Sequence, residues 1–424
     1  MPTIHEVFTP NDTPTHTYVD RSHLNLEQKL RDALSTNNMV VSLSGPSKSG
    51  KTVLVKKVIS DDQIIPVSGA SVKEAHQLWE HALQWMGTPA VVTTASQRSG
   101  SVQLTGKGGG SAGVPLVAQT TFETGANATV GLQSTVTVTD RSIAFQNIIR
   151  EIGSSDFVIF VDDYHYIERG IQVELGRQIK ALAESKVKIC VASVPHRVDD
   201  VLRSNPELSG RIAAVKVDYW ADDDLRVIAQ KGFKTLSIDL ANNVVERLAK
   251  NAFGIPQLMQ SLCLNLCLEL GVRDTLSEQR RFEVSDDVIS RTLERTSDFT
   301  DYSSVVQGLH SGPKERGTER KQFHLSDGTM GDVYRCVLLA LRQDPPETSF
   351  TYDDIMMRIK QVSVSDSPVG SSVTNALEQM QILSNTLSPN VPLIDWNENV
   401  LSVVEPYFLF FLRASRKLER IRKK

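Results

Sequence analysis

The 424-residue sequence lacks the features that mark secreted, membrane-spanning and disulfide-stapled proteins. Its four cysteines lie in apolar segments, which is typical of free thiols in a reducing compartment. No segment approaches the roughly 20 consecutive apolar residues of a membrane-spanning helix. The first residues have neither a basic start nor an apolar run, so we expect no secretory signal and a cytoplasmic protein.

An excess of charge of one sign is missing too. The chain has 46 basic and 50 acidic side chains, a formal net charge of −4. This balance creates no global attraction to nucleic acid or anionic lipid. The 40% of hydrophobic residues is ordinary for a globular protein, and the length predicts two or three domains because one core rarely grows that large.

One short segment does carry a specific pattern, LSGPSKSGKTVL at residues 43–54. Gly45, Gly50, Lys51 and Thr52 match G-x-x-x-x-G-K-[ST]. The pattern follows a β-branched, strand-like stretch and precedes a segment with helical spacing. Because the match has its required context of strand, turn and helix, we interpret it as a phosphate-binding loop, or P-loop.

The chemistry of such a loop comes from its backbone and two side chains. Glycines let the N–H groups turn toward phosphate oxygens at a helix N-terminus. Lys51 is expected to reach the β- and γ-phosphates, and the Thr52 hydroxyl to bind Mg²⁺. Lys48 occupies a variable position and receives no individual role. The predicted nucleotide-binding loop comprises Gly45, Pro46, Ser47, Lys48, Ser49, Gly50, Lys51 and Thr52.

A second strand-like segment ends in two acids. The apolar run at 158–161 is followed by Asp162 and Asp163. Ligands of parallel sheets bind at the carboxyl ends of the strands, so we expect this strand to neighbour that of the P-loop. Asp162 is predicted to orient the water shell of Mg²⁺, and Asp163 to polarise an attacking water or accept its proton.

These two motifs resemble those of P-loop NTPases of the AAA+ and STAND groups, and the likeness extends over about residues 17–270. The Asp-Asp pair, where AAA+ proteins mostly have Asp-Glu, is similar to the STAND nucleotide-switch ATPases and predicts slow hydrolysis. The resemblance implies an α/β fold, with a parallel sheet between helices followed by a helical lid. It also implies ATP and Mg²⁺ as ligands.

Three further candidates come from the resemblance. Ser193 ends the next strand and Arg197 follows it, where γ-phosphate sensors lie in related proteins. An ordinary strand with a polar exit is the alternative for both. Arg211 matches the region from which AAA+ proteins extend an arginine to the ATP of a neighbouring subunit, and a surface salt bridge is the alternative there.

The resemblance also implies contacts with the base. Val19 and Arg21 precede an amphipathic helix, and their counterparts lie near the adenine. The segment FGIP at 253–256 is similar to the Gly-x-Pro at which STAND lids touch the nucleotide, through Pro256. AAA+ proteins more often have an arginine near Gln257, so this departure favours the STAND group.

Residues 95–140 interrupt the second helix of the expected core. Eight of the chain's 25 glycines lie between Gly100 and Gly131, and charges are nearly absent. The flanking segments, 72–87 and 141–153, have helical patterns. Three interpretations stay open for the insertion: a disordered loop, a β-ribbon that pairs between subunits, or a loop lining the pore of a ring.

The C-terminal segment predicts a helix, a short strand with a second helix, and a third helix. Two strands about an Asn-Glu-Asn turn and an apolar helix follow, and this order of elements resembles a winged helix. Residues 332–412 contain four basic and ten acidic side chains, so we expect protein contact or autoinhibitory docking rather than DNA reading. The tail from Arg413 has seven basic residues, and helical spacing predicts one face that carries Arg413, Arg416, Lys417, Arg420 and Lys424. It is interpreted as a solvated helix or as a contact for nucleic acid or an acidic partner.

The predicted domains are a P-loop core (1–218) with the insertion (95–140), a helical lid (219–295), a linker (296–331) and a winged-helix-like domain with a basic tail (332–424). We expect a nucleotide-gated, homo-oligomerising ATPase that binds ATP and ADP; the resemblance suggests a role in prokaryotic antiviral defence. A DNA-loading ATPase of initiator or transposon-regulator type is the main alternative. A nucleotide-binding scaffold without turnover is the other.

Overall fold

The computed structural model describes residues 1–88, 142–194, 208, 210–314, 319–389 and 391–421. The insertion predicted at 95–140 and the candidate sensor Arg197 lie outside the described residues, so both predictions stay open.

A five-stranded parallel sheet organises the N-terminal half. Its strands are β1 (Val40–Ser44), β2 (Ile64–Ser68), β3 (Val158–Asp162), β4 (Lys188–Ser193) and β5 (Ile212–Lys216). They lie in the order β2-β3-β4-β1-β5. Strands β1, β3 and β4 are buried over almost their whole length, because the sheet is covered on both faces.

The strand register sets the position of the functional edge. Ser44, the last residue of β1, is opposite Ser193 of β4, and Ser68 of β2 is opposite Asp162 of β3. These strands therefore end at one edge of the sheet. The expectation that β3 neighbours β1 was wrong, because β4 lies between them, an order that no local pattern encodes.

Helices pack on this sheet and on each other. The two helices that flank residues 89–141 are in contact, and Trp79 meets Phe145 edge to face with ring centroids 6.1 Å apart. Both flanks are helical, as their patterns predicted. The helices of this half are α1 (Ile4–Val7), α2 (Leu26–Ser35), α3 (Lys51–Val58), α4 (Ala75–Trp85), α5 (Ser142–Ile152) and α6 (Arg169–Glu184).

A helical segment follows the sheet. Its amphipathic helices bury their apolar faces against one another, and one of them begins with proline at its first turn. A small parallel pair joins β6 (Ile238–Leu240) to β7 (Arg280–Phe282). The helices are α7 (Asp222–Thr235), α8 (Asn242–Asn251), α9 (Pro256–Glu269) and α10 (Asp286–Ser297).

The stretch 296–331, predicted as a linker, contains regular structure. Helix α11 (Ser303–Ser311) buries Val305, Val306 and Leu309 in the hydrophobic core, and a short hairpin joins β8 (Phe323–His324) to β9 (Met330–Gly331). This helix was not predicted, because its apolar face has only three residues and the surrounding sequence is polar and rich in turn-forming residues.

The C-terminal segment has the predicted order of elements. Its strands form a sheet of order β10-β12-β11, and Glu398 and Asn399 form the hairpin turn with positive φ angles of 48° and 61°. The strands are β10 (Ser349–Thr351), β11 (Ile394–Asn397) and β12 (Val400–Val403). The helices are α12 (Val333–Arg342), α13 (Tyr352–Val362), α14 (Gly370–Leu387), α15 (Pro406–Ala414) and α16 (Lys417–Arg420).

The basic tail does not form the single helical face that its spacing predicted. Ser415 has extended backbone and separates α15 from α16. The Arg413 guanidinium donates to the Gln343 carbonyl at 2.7 Å, while Arg416 forms an ion pair with Glu294 at 3.4 Å. Tertiary packing thus divides the tail. No helix in the described ranges combines the length and apolarity needed to cross a membrane.

Candidate nucleotide-binding site

A cavity of about 610 Å³ opens at the carboxyl edge of the sheet. It extends from the P-loop and the end of β3 to the N-terminal segment and the first turns of α9. This volume falls within the usual range for small-molecule and cofactor sites. We call the part beside the P-loop the phosphate end, and the part beside residues 9–21 and α9 the base end.

The P-loop has backbone features that only glycine accommodates. A Cβ atom on Gly45 would lie 2.1 Å from the Val217 carbonyl oxygen, so the loop can pack against the end of β5 only without a side chain there. Gly50 has a φ of 95°, which favours glycine and directs the chain into α3. The first and last glycines of the motif therefore hold the loop in shape.

Lys51 begins α3 and folds back into the loop. Its Nζ donates to the carbonyl oxygens of Gly45 at 2.9 Å and Pro46 at 2.7 Å. Burial lowers the pKa of Lys51 to about 8, although the charges of Asp162 and Asp163 act in the opposite direction. An ammonium group held by neutral carbonyls in a desolvated site is well suited to bind an anion.

A hydrogen bond joins the two sequence motifs. The Thr52 hydroxyl donates to Asp162 Oδ2 at 2.6 Å across 110 residues of chain, and Asp162 Oδ1 accepts from the Asp163 N–H at 2.9 Å. A hydroxyl beside a carboxylate provides the oxygen ligands that Mg²⁺ prefers. The structure thus brings together the two predicted metal ligands, although β4 lies between β1, which precedes the P-loop, and β3, which carries Asp162.

Asp163 turns sharply at the end of β3. Its φ of 55° lies in the left-handed region, where Asp is tolerated better than most residues. A Cβ on Gly69 would lie 2.5 Å from the Asp163 carbonyl oxygen, so glycine is needed beside this turn. Partial burial and, to a smaller extent, the charge of Asp162 raise the pKa of Asp163, while Lys51 lowers it.

The base end contains Val19 and Arg21, both buried and both lining the cavity. The Arg21 guanidinium stacks over the Trp220 ring, 4.3 Å from the ring centroid. Its Nη1 has no hydrogen-bond partner among the described residues, and burial lowers the pKa of Arg21. The Trp220 indole N–H donates to the Ser49 carbonyl at 2.9 Å, so Arg21 is linked to the P-loop through Trp220.

The predicted lid contact, Pro256, lines the same cavity at the first turn of α9. Before it, Gly254 has a φ of 72°, and its carbonyl accepts from the backbone N–H of Trp220 at 2.9 Å. A Cβ on Gly254 would lie 2.9 Å from the Tyr219 Cβ. The Gly-x-Pro segment therefore fixes where α9 begins and brings it over the base end.

Lys48, to which the sequence assigned no individual role, contacts the C-terminal segment. Its Nζ lies 3.8 Å from the centre of the Tyr407 ring and 3.8 Å from Glu405 Oε1. Glu405 is buried and caps α15 by accepting the Tyr407 N–H at 3.1 Å. Lys48 also lines the cavity, so one side chain touches both the phosphate end and α15.

Two predicted residues, Ser193 and Arg211, do not line the cavity. Ser193 ends β4 between the two motifs, and its carbonyl accepts the Gly45 N–H at 3.2 Å. Arg211 lies at the opposite, amino-terminal edge of the sheet and pairs with Glu184 at 2.9 Å. The cavity of the same chain does not include Arg211, and its proposed action on a neighbouring subunit stays a prediction.

Sequence reasoning missed Trp220, Gly69 and Glu405. For Glu405 a signal was available, because proline is common at the first helical position and Pro406 therefore predicts Glu405 as the N-cap residue. Trp220 and Gly69 carry no comparable local signal, since each matters only for what the fold places beside it.

The residues present fit a magnesium–nucleotide complex. The unpartnered Arg21 Nη1 and the desolvated Lys51 offer donors to an anionic ligand, and Thr52 with Asp162 offers metal ligands. In the described ranges no group of three or more His, Cys, Asp and Glu residues could hold a metal ion alone. Mg²⁺ typically takes one or two protein oxygens and completes its shell with phosphates and water, so the Thr52 hydroxyl and the Asp162 carboxylate are sufficient protein ligands for it.

The strand order, the P-loop between β1 and α3, and the acids at the end of β3 define a P-loop NTPase fold. No protein-family model and no curated protein matches the chain.

Several solved structures are similar. The Walker-type ATPase PABY2304 of Pyrococcus abyssi has a TM-score of 0.49 and 14% identity, covering 96% of this chain and 99% of that one. Cdc6p from Pyrobaculum aerophilum has a TM-score of 0.42 and 11% identity, with 98% of each chain covered. The RuvB Holliday junction branch migration motor of Thermotoga maritima has a TM-score of 0.40 and 12% identity, covering 94% and 97%.

Proposed function

We propose that this protein is a Mg²⁺-dependent ATPase that binds ATP in the cavity and hydrolyses it slowly. The observation that carries the proposal is the hydrogen bond between Thr52 and Asp162 beside the buried ammonium group of Lys51. A phosphate-binding group and two oxygen ligands for a metal thus converge at one edge of the sheet. Phosphoryl transfer depends mainly on positioning and charge stabilisation, which this arrangement provides.

Each residue has a distinct task in this proposal. Lys51 exchanges its two carbonyl partners for the β- and γ-phosphate oxygens. Thr52 and Asp162 would hold the metal ion, which would supply positive charge to neutralise the phosphates. Asp163 polarises the attacking water, and its raised pKa suits a group that accepts a proton. Ser193 stays a candidate for sensing the γ-phosphate.

The contact of Lys48 with Glu405 and Tyr407 supports gating by the nucleotide. Phosphates at the loop attract Lys48, whereas the buried Glu405 carboxylate holds it on α15. Binding and release would therefore bias how firmly the C-terminal segment is held against the P-loop. In this proposal, the contact serves as the two-state element that a nucleotide-switch ATPase requires.

Assembly into an oligomer completes the proposal. Arg211 would leave Glu184 and supply charge to the ATP of a neighbouring copy, a role that a partly exposed ion pair permits because such pairs are weak. A protein partner at the C-terminal domain and a setting in antiviral defence stay predictions from the resemblance.

Phosphate release and ATP affinity, measured together, test the proposal. Asp163→Asn keeps the size of the side chain and its tolerance of the left-handed backbone, so ATP binding should stay within about threefold while hydrolysis falls about 100-fold or more. Asp156→Asn, at the amino end of β3, is the matched control. Wild-type protein that binds ATP without turnover would favour the scaffold alternative.

A further inference from the structure

The base end contains a buried amide with one unused hydrogen-bonding atom. Gln260 lies one turn after Pro256 on α9, is 4% exposed and lines the cavity. Its Oε1 has no hydrogen-bond partner among the described residues. Buried amide oxygens are rarely left without a donor, and one that lines a ligand cavity is a candidate for contact with the ligand.

The orientation of this amide follows from its neighbour Thr17. Gln260 Nε2 lies 2.6 Å from Thr17 Oγ1, which in turn lies 3.3 Å from the carbonyl oxygen of Val7. A carbonyl cannot donate, so the single Thr17 hydroxyl proton is committed to Val7. Thr17 must then accept from Gln260, which places the amide nitrogen toward Thr17 and leaves the oxygen as the free acceptor.

The other glutamine of α9 that lines the cavity is already satisfied. Gln257 Nε2 donates to Asn11 at 2.8 Å, and Gln257 Oε1 accepts from the Tyr407 hydroxyl at 3.1 Å. Of these two cavity-lining glutamines, Gln260 is therefore the one whose amide oxygen has no protein partner.

Adenine and guanine differ in whether the same edge of the base can donate a hydrogen bond to such an acceptor. Adenine carries an exocyclic amine, which donates, where guanine carries a carbonyl oxygen, which accepts. We propose that Gln260 Oε1 accepts a hydrogen bond from the exocyclic amine of adenine and selects ATP over GTP, with Thr17 as the residue that orients the amide. This inference rests on the proposed binding of a nucleoside triphosphate and adds the residue that reads the base.

The test compares three Mg²⁺-bound triphosphates by calorimetry on the full chain: ATP, GTP and purine riboside triphosphate, which is ATP without the exocyclic amine. Wild type should bind purine riboside triphosphate about tenfold more weakly than ATP, the usual effect of one lost hydrogen bond. It should bind GTP about 100-fold more weakly or worse, because two acceptors would face each other.

Gln260→Met removes the acceptor at similar volume. The variant should bind ATP about tenfold more weakly than wild type does, while its affinity for purine riboside triphosphate stays within about twofold of the wild-type value. The ratio of the two dissociation constants should therefore come close to one. Asn265→Leu is the matched control: Asn265 is a fully buried amide on the same helix, donates to Thr296 at 3.1 Å, also has an unpartnered oxygen, and does not line the cavity. The control should keep the wild-type ratio.

Two results would overturn the inference while leaving triphosphate binding intact. One is equal affinity of wild type for ATP and purine riboside triphosphate, a measurement that needs no variant to fold. The other is a wild-type ratio retained by folded Gln260→Met. If wild type binds none of the three triphosphates, both this inference and the proposed function fail, which is a distinguishable outcome.

Discussion

The two ends of the cavity are built in different ways. The phosphate end takes its groups from two contiguous motifs, the loop 45–52 and the acids Asp162 and Asp163, and uses backbone shape as much as side chains. The base end collects single side chains from the N-terminal segment, the residues before α7, and α9. In the proposed function, the contiguous motif provides general affinity for phosphates, whereas the assembled side chains select the nucleotide.

The largest expected effect tests the phosphate end. Lys51→Ala removes the buried ammonium group and should weaken ATP and GTP alike by at least about 100-fold, since every triphosphate uses that charge. Calorimetry or displacement of a fluorescent nucleotide measures it. Lys188→Ala, at a partly exposed lysine at the amino end of β4, is the control with the same charge change. An unchanged ATP dissociation constant would contradict the whole proposal.

Arg21 tests the base end. Arg21→Met keeps a long side chain over Trp220 but loses the unpartnered Nη1, so ATP affinity should fall about 10- to 100-fold, the loss expected for a charged hydrogen-bond donor. Arg226→Met removes a partly exposed arginine of α7 as a control. Unchanged affinity in a folded Arg21→Met protein would limit Arg21 to a structural contact with Trp220.

The pKa of Lys51 predicts a pH dependence. Phosphates raise that pKa again, so binding takes up a proton above pH 8, and ATP affinity should fall about tenfold between pH 7 and pH 9. The stability of the nucleotide-free protein should change with pH in the opposite direction to ATP affinity. Because the unfolded lysine has its ordinary pKa of 10.5, the unfolded chain binds more protons between pH 8 and pH 10.5, and stability rises with pH there.

Lys51→Ala should remove the pH dependence of ATP affinity and that of stability, because both arise from titration of the Lys51 side chain. Calorimetry in buffers of different ionisation enthalpy detects the proton uptake, and thermal unfolding at each pH gives the stability. A wild-type affinity that is flat from pH 7 to pH 9 would show that Lys51 stays charged in the free protein.

The smallest effect concerns Lys48. Glu405→Gln keeps an oxygen for the Tyr407 N–H but removes the charge that holds Lys48, so ATP affinity should rise about threefold as Lys48 becomes available to the phosphates. The gain should disappear in the double variant with Lys48→Met. Glu419→Gln, which faces Arg342 on the surface, is the matched control. Unchanged or weaker binding in Glu405→Gln would leave this contact without a part in gating.

The sequence predicted most of the architecture and the phosphate end. The α/β fold, the helices around the insertion and the hairpin at Glu398 and Asn399 were all readable, because each depends on local periodicity or turn chemistry. The helix at 303–311 was missed, since three apolar residues in a polar stretch give too weak a pattern. The basic tail was misread as one face because spacing cannot show where packing interrupts a helix.

By itself, the sequence determined that a phosphate loop and an acidic pair exist, because their chemistry lies in contiguous residues with obligatory glycines. Only the tertiary structure decided that β4 separates their strands, that Trp220 braces the loop, and that Thr17 orients Gln260 from 243 positions away. These contacts depend on how helices and strands pack over long separations in the chain. A single side chain has no local pattern that records its distant partner.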